Sequence, residues 1–191
     1  MDVRVALSLV SLTLGLIGGP RLWDLVLRIQ RRVSWRRFDA AVRGSRILGR
    51  LALERPDLII AINDGLIPAS IVARNLDINI GYWTVSVDDR CVVDTRGFEP
   101  DIAGRKVVLL DDQVLAGKRM EAAFARARQL RGADSATIQR MTVFAQDTPL
   151  REAPLDFEPA QQFHGRIRSM PWSYTQGHKT RYLPRASRGA A

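Results

Sequence analysis

From Val5 to Gly19 the chain carries no charged residue, and the stretch ALSLVSLTLGLIGG is mostly aliphatic. As a helix it would span roughly 23 Å, against a hydrocarbon core of about 30 Å, so its length is marginal for a membrane crossing. No small-x-small cleavage site follows it, and Gly18-Gly19-Pro20 leads straight into Arg21, which favours an uncleaved anchor over residues 1–20. The period then changes. Leu22, Leu25, Val26, Ile29 and Val33 recur at helical spacing among Arg21, Arg28, Arg31 and Arg32, predicting a basic amphipathic helix over 21–33. Ser34 is a suitable N-cap for a further helix carrying Phe38, Val42, Ile47, Leu48 and Leu51 and ending before Pro56.

Beyond Pro56 the apolar runs shorten and alternate with helical stretches. Leu58 to Ile62 predicts a buried strand, Asn63-Asp64-Gly65 a tight turn, and about Pro68 to Leu76 a helix with proline in its first turn. Ile80 to Val87 predicts a second strand and Lys106 to Leu110 a third; a helix over about Lys118 to Leu130 and a strand over Ala136 to Phe144 follow. Such alternation is the pattern of an α/β fold: a mostly parallel sheet flanked by helices on both faces. Asp88 to Gly104 is long for a connection in such a domain, and loops of that length tend to be lids or binding loops. The last residues, 179–191, are basic and poor in hydrophobes, as in a disordered tail. The remaining 34–178 make one domain, in keeping with a chain of 191 residues.

Charge sharpens this outline. The net charge is +9, nearly all of the cations are arginine, and between Arg21 and Arg55 the only acids are Asp24, Asp39 and Glu54. A basic flank directly after the apolar run predicts a chain held at the cytoplasmic membrane, with the domain in the cytoplasm and anionic lipids as partners. A solvated helix face or a nucleic-acid patch would use the same charges, but no aromatic stacking series accompanies them, so nucleic acid is not the expected partner. Cys91 is the only cysteine, which excludes an internal disulfide and a cysteine zinc site. His164 and His178 stand too far apart in sequence to suggest a metal site.

The most informative stretch is VVLLDDQVLAGKRM, Val107 to Met120: an apolar strand runs into Asp111 and Asp112, then a glycine turn opens a helix with Lys118 and Arg119. Two adjacent carboxylates at a sheet's edge can accept hydrogen bonds from vicinal sugar hydroxyls or ligate a divalent metal. Backbone N–H groups at Ala116 and Gly117 would suit an anion. Cations at a helix N-terminus are unfavourable by about 0.3–1 kcal/mol unless something negative offsets them, and a phosphate in that turn would do so.

This arrangement resembles the motif of the type I phosphoribosyltransferases, which bind phosphoribosyl pyrophosphate. The similarity extends to VSWRRFDAAVRGSRILGRLALERPDLIIAINDGLIPASIVARNLDI, with its tryptophan on the first helix, its glycine turn and Leu66-Ile67-Pro68, and to MTVFAQ and MPWSY near the C-terminus. It covers roughly Val33 to Tyr174 and is nearest to the xanthine-guanine group. The resemblance implies that Asp111 and Asp112 act as the catalytic, ribose-holding and metal-facing acids. Leu115, Ala116, Gly117, Lys118 and Arg119 would cradle the 5′-phosphate. Asn63, Asp64 and Gly65 would face pyrophosphate, with magnesium accompanying it. Gln146, Ile167 and Trp172 would border the base, and Asp88 to Gly104 would close over the site.

The departures from that family are specific. Leu115, Ala116 and Arg119 stand where the family places an acid and hydroxyl residues, and leucine cannot take a proton. The turn Asn63 to Gly65 lacks the arginine and second glycine of the close relatives, and Asp64 would repel pyrophosphate. Gln146 replaces a lysine and Ile167 an aromatic. Two readings follow from the resemblance: a phosphoribosyltransferase-like protein binding phosphoribosyl pyrophosphate or a nucleotide and transferring the phosphoribosyl group to a purine-like base, or a catalytically inactive nucleotide sensor or membrane-tethered scaffold. Self-association is compatible with either.

Overall fold

The computed structural model describes residues 33–87, 91–94, 98–115, 117–146, 155–163 and 170–171. Of these, the residues within Arg36–Arg166 belong to one compact unit. The expected anchor over 1–20, nearly all of the amphipathic stretch 21–33 and the tail 179–191 lie outside the described residues, among which no helix is long and apolar enough to cross a membrane.

Five consecutive apolar residues build β1, Leu58–Ile62, and all five are buried, as a strand covered on both faces requires. Asn79–Val87 (β2) and Lys106–Val114 (β4) pair with it in parallel on either side, and Thr137–Gln146 (β5) then adds to β4. Two strands were not expected from the sequence: Cys91–Asp94 (β3), antiparallel to β2, and Gln161–Phe163 (β6), parallel to β5. Both are edge strands of three or four residues, too short for a periodicity to register. The sheet order is β3-β2-β1-β4-β5-β6.

The predicted helix after Ser34 is broken. Trp35–Arg43 (α1) ends at Gly44, whose extended backbone (φ −69°, ψ 169°) interrupts it before a single π-helical turn, Ser45–Gly49, and a short helix, Arg50–Glu54 (α2). Arg55 then takes a left-handed conformation (φ 48°), in keeping with the bias of a residue before proline away from the right-handed helix. Phe38 of α1 meets Phe144 of β5 at 6.4 Å between ring centres, and Phe144 meets Phe163 edge-on at 5.6 Å, so α1 and β6 are joined through one aromatic cluster.

Leu66–Leu76 (α3) starts two residues earlier than predicted, and Pro68 falls in its first turn, where a missing N–H loses no intrahelical bond. Its buried residues are Pro68, Ala69, Val72 and Ala73, small enough for close approach to the sheet. Lys118–Ala127 (α4) packs on the other side: Met120, Ala123 and Ala127 share a core with Leu58, Ile60 and Ile62 of β1, Trp83 and Val85 of β2, and Val107 and Leu109 of β4. The two-residue spacing of those strand positions is that of one sheet face.

The expected lid, Asp88 to Gly104, is tied down along much of its described length. β3 is paired into the sheet, Phe98 lies where a side chain on Gly81 would have to be, and Phe98 O accepts from Trp83 Nε1 at 3.3 Å. Ile102 is fully buried and its N–H donates to Arg131 O at 2.9 Å. Residues 98–104 are therefore docked on the body and do not form a free flap.

Candidate functional site

Strands β1, β2, β4 and β5 run parallel, so their C-terminal ends share one edge of the sheet. At the end of β1 the chain turns through Asn63–Gly65. Asn63 takes a left-handed conformation (φ 49°), which asparagine tolerates better than most residues. Its Nδ2 donates to Val85 O at 2.9 Å and its Oδ1 accepts from Val85 N–H at 2.8 Å. The side chain thus continues the β1–β2 ladder by one step, and its amide is spent on the sheet. Gly65 lies directly against β4, where an added Cβ would come 2.9 Å from Asp111 Cα and collide with Leu110 O. Only a glycine lets this turn touch the strand at the acid pair.

Asp111 and Asp112 lie within β4, which runs on through Gln113 to Val114, and not at the strand's end as expected. Both are 1% exposed. Asp112 N–H donates to Asp111 Oδ1 at 2.9 Å, and Asp111 Oδ2 faces Arg119 Nε at 3.9 Å. Among the described residues no protein donor reaches Asp111 Oδ2, either carboxyl oxygen of Asp112, or Gln113 Oε1. Burial pushes the Asp112 carboxyl well above the usual carboxylate range, and the charges of Asp111 and Asp64 add to the shift; Arg119 opposes it. Burial also raises Asp111, with Arg119 the largest opposing influence. Burial and mutual repulsion therefore both work against two full negative charges on the pair. Thr142 supports it from β5, its Oγ1 lying 3.2 Å from Asp111 O and 3.0 Å from Phe144 O.

The turn after β4 leads into α4 through Gly117, which is buried and left-handed (φ 80°). Glu121 N–H donates to Gly117 O at 3.0 Å, which begins the helical ladder and leaves the N–H groups of Lys118 to Met120 without an intrahelical partner. Leu115 is half-buried and Lys118 exposed, while Arg119 is folded back toward Asp111 with its side chain 25% exposed. Asp64, exposed on the facing turn, is near enough for its charge to raise both acids. Gln146 ends β5 as the ladder partner of Phe163, on the same edge of the sheet. Ala116, Ile167 and Trp172 lie outside the described residues.

The structure thus draws together Asp64, Gly65, Asp111, Asp112 and Arg119 from stretches far apart in sequence. Gln113, whose buried Oε1 lacks a donor, was not anticipated as a site residue. Strand alternation carried past the acid pair would have included it. The donor set does not fit a metal cage: Asp111 Oδ1 is taken by a backbone N–H, Oδ2 faces a guanidinium, and among the described residues no three His, Cys, Asp or Glu side chains could hold an ion together.

No family model matches the chain, and no curated protein matches it in sequence. Solved structures do match. A purine phosphoribosyltransferase from Pyrococcus horikoshii superposes with a TM-score of 0.63 at 23% identity, over 74% of this chain and 92% of that one. The fold is that of the type I phosphoribosyltransferases. A Helicobacter pylori xanthine-guanine-hypoxanthine phosphoribosyltransferase matches over 79% of this chain and 98% of its own, with a TM-score of 0.59 at 9% identity. A hypothetical protein from Neisseria gonorrhoeae with bound ppGpp matches with a TM-score of 0.53 at 16% identity, over 73% of this chain and 86% of that one. In this phosphoribosyltransferase fold the acid pair occupies β4 and the glycine turn opens α4, the order anticipated from VVLLDDQVLAGKRM.

Proposed function

We propose that this protein binds the ribosyl-phosphate part of a nucleotide or of phosphoribosyl pyrophosphate at the edge formed by Asp111, Asp112 and the start of α4. The observation that carries this reading is a pair of buried carboxyls with three oxygens lacking a protein donor, beside a helix N-terminus that bears two cations. Buried polar atoms are rarely left unmatched unless function requires it. Ribose supplies what is missing: one hydroxyl donates to Asp111, and a second donates to Asp112 or accepts its proton. The N–H groups of the α4 turn, Lys118 and Arg119 would then receive the 5′-phosphate.

Whether the phosphoribosyl group is transferred to a purine-like base depends on Leu115, which offers no base for the acceptor's proton. General-base help is typically worth about 10²- to 10⁴-fold, so its absence slows transfer without forbidding it. Any magnesium in such a reaction would arrive on the diphosphate of the substrate. A nucleotide sensor is the second reading, and the neighbouring fold solved with bound ppGpp favours it. Residues 1–20 and their arginine flank would place either one at the cytoplasmic face of a membrane.

Calorimetric titration with phosphoribosyl pyrophosphate and with purine nucleotides, run beside an assay for pyrophosphate release with hypoxanthine or guanine, separates these readings. Binding with turnover supports the transferase, and binding without turnover the sensor. Asp112→Asn is expected to weaken binding by about tenfold or more, since a carboxyl–hydroxyl contact is lost. Unchanged affinity in that variant removes the acid pair from the site.

A further inference from the structure

Arg119 occupies the second position of α4, where its positive charge opposes the helix dipole. It nevertheless turns back into the site, with Nε 3.9 Å from Asp111 Oδ2. At that distance the guanidinium supplies charge to the carboxylate without closing a hydrogen bond. Among the described residues no protein acceptor closes a hydrogen bond to Arg119, so its planar fork remains available to an anion. Lys118 beside it is exposed and makes no such approach.

A divalent ion that used the acid pair as ligands would meet two obstacles. Asp111 Oδ1 is already bonded to Asp112 N–H, and an ion on Oδ2 would sit against the guanidinium, where like charges repel. Nor does a third carboxylate complete a cage: Asp64 makes its field felt, yet no metal-holding trio exists among the described residues. The positive charge such an ion would contribute is already present on the chain. We infer that Arg119 is a built-in counter-ion for the acid pair, so that the pocket grips a ribosyl phosphate without a divalent cation. This rests on the ribosyl-phosphate reading of the site and adds the means by which the charges are balanced. Arg119 faces Asp111 Oδ2 with its positive charge and presents its free edge to the phosphate, joining the two ends of one ligand.

The test is calorimetric titration of the full chain with ribose 5-phosphate and with guanosine 5′-monophosphate, each in EDTA and in millimolar magnesium chloride. Wild-type affinity is expected to agree within about twofold between the two conditions, and Arg119→Gln to weaken binding in EDTA by about tenfold or more. Magnesium should restore part of that loss by supplying the missing charge. Arg119→Lys, which keeps the charge but not the fork, should keep its affinity insensitive to magnesium even if binding is weaker. A matched thermal melt shows that each variant is folded, and the Lys variant carries the test if the Gln variant is not. Wild-type binding that appears only with magnesium overturns the counter-ion role while leaving the binding site standing. Arg119→Gln binding as tightly as wild type in EDTA does the same. Absence of binding to either ligand under both conditions overturns this inference together with the ribosyl-phosphate reading.

Discussion

Asp112 keeps a carboxyl where nothing in the described protein donates to it, and burial holds its proton well into the range where ordinary carboxylates have lost theirs. That environment works against the fold, because a group that is costly to ionise and poorly bonded when neutral is worse than an amide of the same shape. Asp112→Asn places an Nδ2 donor beside Asp111 and removes the like-charge conflict. It should therefore stabilise the protein by about 1 kcal/mol, raising the melting temperature by about 2–4 °C while ligand affinity falls. A thermal melt checks this, and a lower Tm would mean that the carboxyl has a partner the fold needs. The two acids themselves were legible in sequence, as was the glycine that opens the following helix. Their burial was not, because solvent exposure at a strand's end depends on how far the neighbouring strands extend, and here β4 and β5 stay paired as far as Val114 and Ala145.

Between elements, one residue of β5 binds two others. Arg140 Nη1 donates to Glu121 Oε1 of α4 at 3.0 Å, Nε to Asp156 Oδ2 at 3.0 Å, and its guanidinium lies 4.4 Å from the centre of the Phe124 ring. Asp156 also accepts from the Arg140 backbone N–H at 2.7 Å, so the segment leading to β6 is held by both main chain and side chain. Arg140 is thereby held above the usual arginine range, chiefly by its bond to Asp156. Because Glu121 and Asp156 are partly exposed, solvent screens these contacts, and Arg140→Met should cost about 1–2 kcal/mol in urea unfolding. A loss below about 0.3 kcal/mol would show the clamp to be ornamental. Helices and long strands were readable from their periods, and β1 was predicted residue for residue. What escaped were the break at Gly44 and the short strands β3 and β6, whose pairing depends on an edge that exists only once the central sheet has formed.

Across the whole molecule the +9 charge is unevenly distributed, with arginines crowding the region between the apolar run and β1. On the proposed membrane location the full chain should sediment with vesicles containing phosphatidylserine. Replacing Arg21, Arg28, Arg31 and Arg32 by Gln should weaken that association, at about 1 kcal/mol per charge near the surface, and salt should reduce what remains. Equal sedimentation with neutral vesicles would reject the electrostatic part of the proposal. The sequence by itself determined the α/β class, the parallel core and the order strand, acid pair, glycine turn, helix, since each is written in local period and local chemistry. Only the tertiary structure decided which groups face one another: that Asn63 serves β2, that Gly65 presses on β4, that Asp64 lies across from the acids, and that Arg119 turns back to Asp111. Those relations join residues brought together by sheet registry and helix packing, and no local pattern along the chain encodes a distance between them.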